Sequence, residues 1–476
     1  MIEGLFLLLT LPLVMAGVVY VLRRWASLSA LLATCTALIL GIALLVLPLE
    51  QSVLSLGERQ INIDGNVTFL GRELVMEQTD RLAMAFLFLT AAGLFFLAWR
   101  FVPRSLLFPV GLSMLSLLSG ALLIRPLIYA ILLIEIAAAL SIFALQAERQ
   151  PPTRGGLHYL TLTTLALPGL LVIHWLMERY ALTPDDKGLL NTSAILLLFS
   201  FTLLLSVVPF HVWAPAVGGG KRDGSNPLAG AFVLTIGNGA IWFLLLNFLE
   251  AYPGLYRYPR LSSLVSNAGL AMVIVGGLLA SAQRRLGRLM GYGALIDTGG
   301  ALIALGMNSK AGLTLLFLSL LMRPLGLILV AAGLSGLQAR NGGDDHLDEL
   351  QGLSREAPWS TAALIFGALS VAGLPASAGF VWRWALYRAL SPSSPVPALF
   401  LLLAGMGVMI GLWRALSVLL SRPQVSEESE DVPKEGLLTA VVVAVSIAAC
   451  VGIGLFPQPL APLATRLAEM YTFGGW

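Results

Sequence analysis

Glu135, His211, Asp297, Arg323 and Arg383 each stand inside a run of residues otherwise suited to hydrocarbon. An ionisable side chain at bilayer depth costs at least a few kcal/mol and is retained where it is paired or where it moves charge. The set divides by chemistry. Carboxyl and imidazole groups can exchange protons near neutrality, whereas a guanidinium stays charged and suits a fixed countercharge. Each residue also has a plainer reading. Glu135, in YAILLIEIAAALSIF, has no polar neighbour at helical spacing, so it is kept neutral or matched from another helix. His211, in SVVPFHVWAP, stands between Pro209 and Pro215 and could be a structural hydrogen-bonder. Asp297, in GALIDTGGALIAL, lies a turn or so inside from Arg284 and Arg288 and could form a helix-end ion pair with them. Arg323 precedes Pro324, whose ring frees a carbonyl one turn earlier that the guanidinium could satisfy. Arg383 follows LPASAG, where Pro375 and small residues loosen the helix and expose carbonyls. His174 and Arg414 lie near span ends and could reach the interface by snorkelling.

The elements that hold these groups are membrane helices. Of 476 residues, 57% are hydrophobic and 12% charged, with a mean hydropathy of +0.86, far from the composition of soluble domains. At about 20 apolar residues per crossing, the chain accommodates about fourteen spans of an all-α polytopic membrane protein. Those near 190–212 and 360–388 are interrupted by Pro209 and Pro375. Paired interruptions of this kind point to internal repeats with an ion path at the broken helices. MIEGLFLLLTLPLVMAGVVYVLRRW has no basic residue before its apolar run and reads as the first membrane helix. Basic residues such as Arg23, Arg24, Arg104, Arg149, Lys221, Arg222, Arg284, Arg285 and Arg340 follow odd-numbered spans. That bias predicts a multi-pass inner-membrane protein with both termini on the outer side. Two polar segments, 50–80 outside and VSEESEDVPKEG at 425–436 inside, read as solvated loops.

Composition also excludes classes. The net charge is +3 and the basic residues are scattered, which argues against a nucleic-acid partner. His158, His174, His211 and His346 stand apart, and Cys35 and Cys450 each lie in apolar runs, so no metal, disulfide or cluster is expected. The glycine-rich stretches lack the strand-then-helix context of a phosphate loop. No cofactor and no catalytic centre of the chain's own is expected; lipid is its solvent.

PFHVWAP at 209–215, LGRLMGYGALIDTGG at 286–300 and LDELQGLSREAPWSTAALIFGALSVAGLPASAGFVWRW at 347–384 together resemble the antiporter-like subunits of respiratory complex I. Relatives of that family occur in energy-converting hydrogenases and Mrp-type sodium/proton antiporters. The resemblance runs from about Glu135 to Trp384. It implies a fourteen-helix bundle with two inverted five-helix repeats, broken helices seven and twelve, and a central hydrophilic axis conducting protons. On this pattern 1–124 holds N-terminal helices, 125–282 and 283–421 the two repeat halves, and 422–476 a loop and the last helix. Glu135 matches the family's fifth-helix glutamate. The lysine that normally partners it, five residues before Pro209, is Leu204 here, and the helix-eight lysine's place falls at Gly237 or Asn238. Arg323 resembles the helix-eleven lysine of one branch, and Arg383 falls where helix twelve carries a terminal lysine or glutamate. The implied function is a membrane-arm subunit, partnered by other membrane-arm subunits of a redox-driven proton translocase of NADH-quinone oxidoreductase or hydrogenase type, with sodium as a possible substitute for protons. The missing lysines leave two alternatives open: a non-conducting spacer, and a stand-alone cation/proton antiporter.

Overall fold

The computed structural model describes all residues except 1, 47–52, 57–58, 63–65, 70, 147–152, 184–185, 221–222, 257, 259, 393, 422–434 and 476. Most of the acidic stretch at 425–436 therefore lies outside the described residues, as do Arg149, Lys221, Arg222, Arg257, Arg422 and Lys434. Among the described residues, 12 helices are long and apolar enough to cross a membrane, and Leu107–Leu123 and Pro358–Ala372 are shorter apolar helices. The chain is a multi-pass membrane protein.

Helices α1 (Gly4–Val21), α2 (Ala26–Val46), α3 (Gln78–Phe101) and α4 (Leu107–Leu123) come first. They are followed by α5 (Ile128–Leu145), α6 (Arg154–Leu182), α7 (Lys187–Leu204) and α8 (Pro227–Ala251). Then come α9 (Leu261–Ala282), α10 (Leu286–Gly306), α11 (Lys310–Arg340), α12 (Pro358–Ala372) and α13 (Ala378–Leu390). The series closes with α14 (Pro395–Leu419), α15 (Leu437–Leu455) and α16 (Ala461–Met470).

Burial sorts them into layers. α8 is enclosed along its membrane stretch, and α10 and α11 nearly so, whereas α1 and α15 present most of their surface outward. Without a hydrophobic drive between helices in lipid, close packing depends on small residues. At the α9–α10 crossing a Cβ on Gly269 would stand 2.5 Å from the Gly299 carbonyl oxygen, so only glycine allows that approach.

Both proline-marked helices break. α7 stops at Leu204, and the chain resumes as one turn at Phe210–Val212 and a short segment at Trp213–Ala216. α12 stops at Ala372, passes through Gly373 at φ 77°, and resumes as α13 at Ala378. α8 carries a feature that the sequence pattern does not announce, a wide π-turn over Val233–Gly237.

The helical membrane fold stands, with two additions. β1 (Ile2–Glu3), β2 (Val53–Leu56) and β3 (Arg59–Asn62) form one small sheet, and β4 (Asn66–Phe69), β5 (Arg72–Val75) and β6 (Ile124–Arg125) another. The polar segment 50–80 is therefore not simply a solvated loop. Val67 and Leu74 are buried, because alternation in a two-residue period places them on the covered face of the β4–β5 hairpin. In addition, α16 is an amphipathic helix beyond the expected last span, with Ala464, Leu467 and Ala468 turned inward.

Candidate functional site

Arg383 is fully buried on α13, and its partner is Asp297 on α10: Nη2 donates to Oδ1 at 2.6 Å. Its other terminal nitrogen donates to the Ala372 carbonyl at 3.3 Å, at the end of α12. The broken helix thus supplies one acceptor and α10 a carboxylate. Gly373 is required here twice over. Its positive φ disfavours a side chain, and a Cβ would lie 2.4 Å from Arg383 Cδ.

Asp297 was expected near Arg284 and Arg288, and the structure corrects this. Arg288 makes a two-pronged contact with Asp223, at 3.1 and 3.0 Å, at the end of α10. Asp297 lies about two and a half turns deeper along α10 from Arg288, 3% exposed, and faces α13. For Arg323 the local alternative is set aside. Its guanidinium does not repair its own helix at Pro324 but reaches α8, donating to Leu234 O at 2.6 Å and to Asn238 Oδ1 at 3.2 Å. Both acceptors flank or belong to the π-turn. Such bulges recur at functional sites because they release a backbone group from the regular ladder. Asp297 pairs directly with Arg383 alone, and Arg323 stands near enough on a second helix for its charge to be felt there through space.

Glu135 is held elsewhere. Thr164 on α6 donates to its Oε1, its Oε2 has no hydrogen-bond partner, and no described contact joins it to Asp297, Arg323 or Arg383. Leu204 is buried and lines a small, mostly apolar pocket with Ile131, Ile134, Thr163, Leu167 and Leu244. His211 sits in the one-turn segment after the α7 break, half-buried, with its ring 6.5 Å from that of Tyr292 on α10 and its Nδ1 without a hydrogen-bond partner. Of the five candidates, then, three converge and two stand apart.

The two snorkelling candidates are tied down instead. Arg414 caps the end of α9 through Ser281 O and Gln283 O, at 2.7 and 3.2 Å. His174 bonds Tyr252 at 2.8 Å and lies 3.2 Å from Glu178.

Other polar groups escaped sequence reasoning. Asp80, 1% exposed, receives Arg125 at 3.3 Å and Asn247 at 3.0 Å, and Tyr471 in turn donates to Asn247. Asp80 falls at the end of the polar segment 50–80, so a scan of apolar runs alone passes it over. In the loop before α12, Asp345 accepts from Arg285 at 3.0 Å and from the Gly287 amide at 3.2 Å, and burial pushes its carboxyl up to about 6.

Residues 81–411 match the family described as NADH:quinone oxidoreductase/Mrp antiporter, TM. The chain is 28% identical to NADH-quinone oxidoreductase subunit N of Methylococcus capsulatus over 352 residues, 69% of this chain and 68% of that protein. Its fold resembles a chain of the Mrp complex from Dietzia sp. with a TM-score of 0.78 at 17% identity, covering 98% of this chain and 97% of the other. It also resembles a chain of respiratory complex I from Thermus thermophilus, with a TM-score of 0.71 at 18% identity over 99% of both. The matched region holds Glu135, His211, the Asp297 group and both helix breaks, and on that ground the chain belongs to the NADH:quinone oxidoreductase/Mrp antiporter transmembrane family.

Proposed function

We propose that this chain is a membrane-arm subunit of a multisubunit NADH-quinone oxidoreductase-type assembly in the inner membrane, with a role in proton translocation. The observation that carries the reading is the buried group Arg323–Asp297–Arg383, held where α12 breaks and where α8 widens. Two permanent cations around one carboxylate create a polar axis in the enclosed core that structural packing does not require. In this reading the arginines set the field, and Asp297, Glu135 and His211 are the groups that take and release protons. Any redox chemistry belongs to partner subunits.

The test is proton translocation by the whole complex in proteoliposomes, with Asp297→Asn compared against the native chain at equal electron-transfer rate. Fewer protons moved per electron supports the reading. Undiminished pumping with intact assembly favours the second one, a non-conducting spacer. That second reading draws on a specific observation: Leu204 sits in hydrocarbon, and Glu135 faces Thr164 instead of a cation.

A further inference from the structure

A broad cavity of about 960 Å³ opens between helix ends, on the face where the basic residues gather. Its rim holds Arg23 and Arg24 from the α1–α2 turn and Arg104 from the α3–α4 turn, and no carboxylate stands among the described lining residues. Ser335 and Gln338, near the end of α11, line the same cavity. They are only 5% and 9% exposed, yet Ser335 Oγ and Gln338 Nε2 have no hydrogen-bond partner. Buried polar atoms are normally satisfied, so a basic rim beside unpaired buried atoms marks a place for a ligand rich in acceptor oxygens.

We propose that this cavity binds the phosphate headgroup of an anionic phospholipid. Arginine forks match phosphate oxygens, and the Gln338 amide and Ser335 hydroxyl can donate to the remaining oxygens. Lipid is favoured over a free anion by the surroundings. Phe101, Val102 and Leu106 give the cavity an apolar flank, and Tyr20 and Trp25 stand exposed beside the rim, as aromatic residues do at headgroup level. Anionic lipid concentrates in the leaflet on the side toward which basic residues are biased. The volume suits a headgroup with the first part of its chains.

The test is lipid retention by the purified full chain, exchanged into mixed micelles of phosphatidylglycerol and phosphatidylcholine and weighed by native mass spectrometry. The native chain is expected to retain phosphatidylglycerol selectively. Each surface arginine near an anionic lipid is worth a factor of about five, so Arg24→Ala with Arg104→Ala should lower that retention about 25-fold and leave phosphatidylcholine unchanged. Arg24→Lys with Arg104→Lys should restore most of it, which separates loss of charge from loss of fold. Gln338→Leu should weaken retention without altering charge. Unchanged selectivity in the alanine variant overturns the proposal. So does full displacement of lipid by millimolar inorganic phosphate, which would assign the site to a soluble anion. Normal lipid retention combined with loss of neighbouring subunits on native gels would assign the arginines to a protein partner and overturn it equally.

Discussion

Because Asp297 serves two arginines, removing it and removing Arg383 are unequal injuries. Asp297→Asn leaves Arg323 and Arg383 buried without a countercharge, while Arg383→Met leaves Asp297 still within reach of the Arg323 charge. Breaking a buried pair from one side costs about 3–5 kcal/mol. We expect Asp297→Asn at about 5, and Arg383→Met, which keeps an apolar stem but removes the guanidinium, at about 3 kcal/mol. The double variant Asp297→Asn with Arg383→Met removes both charges and should fall short of the summed losses by at least about 2 kcal/mol. Arg383→Lys keeps the charge but not the fork that reaches both Asp297 and Ala372 O, and should lie between native and Arg383→Met. The assay is denaturant unfolding in mild detergent, followed by tryptophan fluorescence. Equal losses in the two single variants, or strict additivity in the double, would refute the idea that one carboxylate supports two cations.

Gly373→Ala should cost at least about 2 kcal/mol, since it combines an unfavourable φ with a Cβ at 2.4 Å from Arg383 Cδ, and it should also erase the Asp297–Arg383 coupling in the same unfolding cycle. Glu435 accepts from the Trp359 and Ser360 amides at the start of α12, so Glu435→Ala should cost about 1 kcal/mol and speed hydrogen exchange at those two amides. For Asp345 the sign follows from its raised folded-state value: the folded protein binds the proton more tightly. Its contribution is full below about 3.8 and is lost as pH rises through about 6, a change on the order of 3 kcal/mol. Asp345→Asn should flatten that part of the stability profile.

Helices were legible because their signal is local. Apolar runs of spanning length mark them, and Pro209 and Pro375 sit beside the breaks they predict. The buried charges were legible for the same reason. Their pairing was not, because Arg383 and Asp297 are 86 residues apart and nothing in either stretch names the other. A local rule sent Asp297 toward Arg288, whose actual partner, Asp223, lies in a polar loop where a carboxylate draws no notice. For Arg323 the proline next to it left local repair open as one of two readings, and a guanidinium's reach is long enough to prefer another helix. The β4–β5 hairpin hid in a segment whose polarity outweighed its short alternation of Val67 and Leu74.

The widened turn in α8 bears on how members of this family diverge. Each residue of a regular α-helix advances the side chains by about 100°, and a π-turn holds one residue more than its α counterpart. Removing one residue from Val233–Gly237 would rewind α8 and swing Asn238 away from Arg323, with hardly any change in hydrophobicity. Insertion or deletion of a single residue is thus a discrete step by which an enclosed helix exchanges which side chain meets its neighbours. Two relatives that differ by such a step would appear one position out of register when aligned by identity alone.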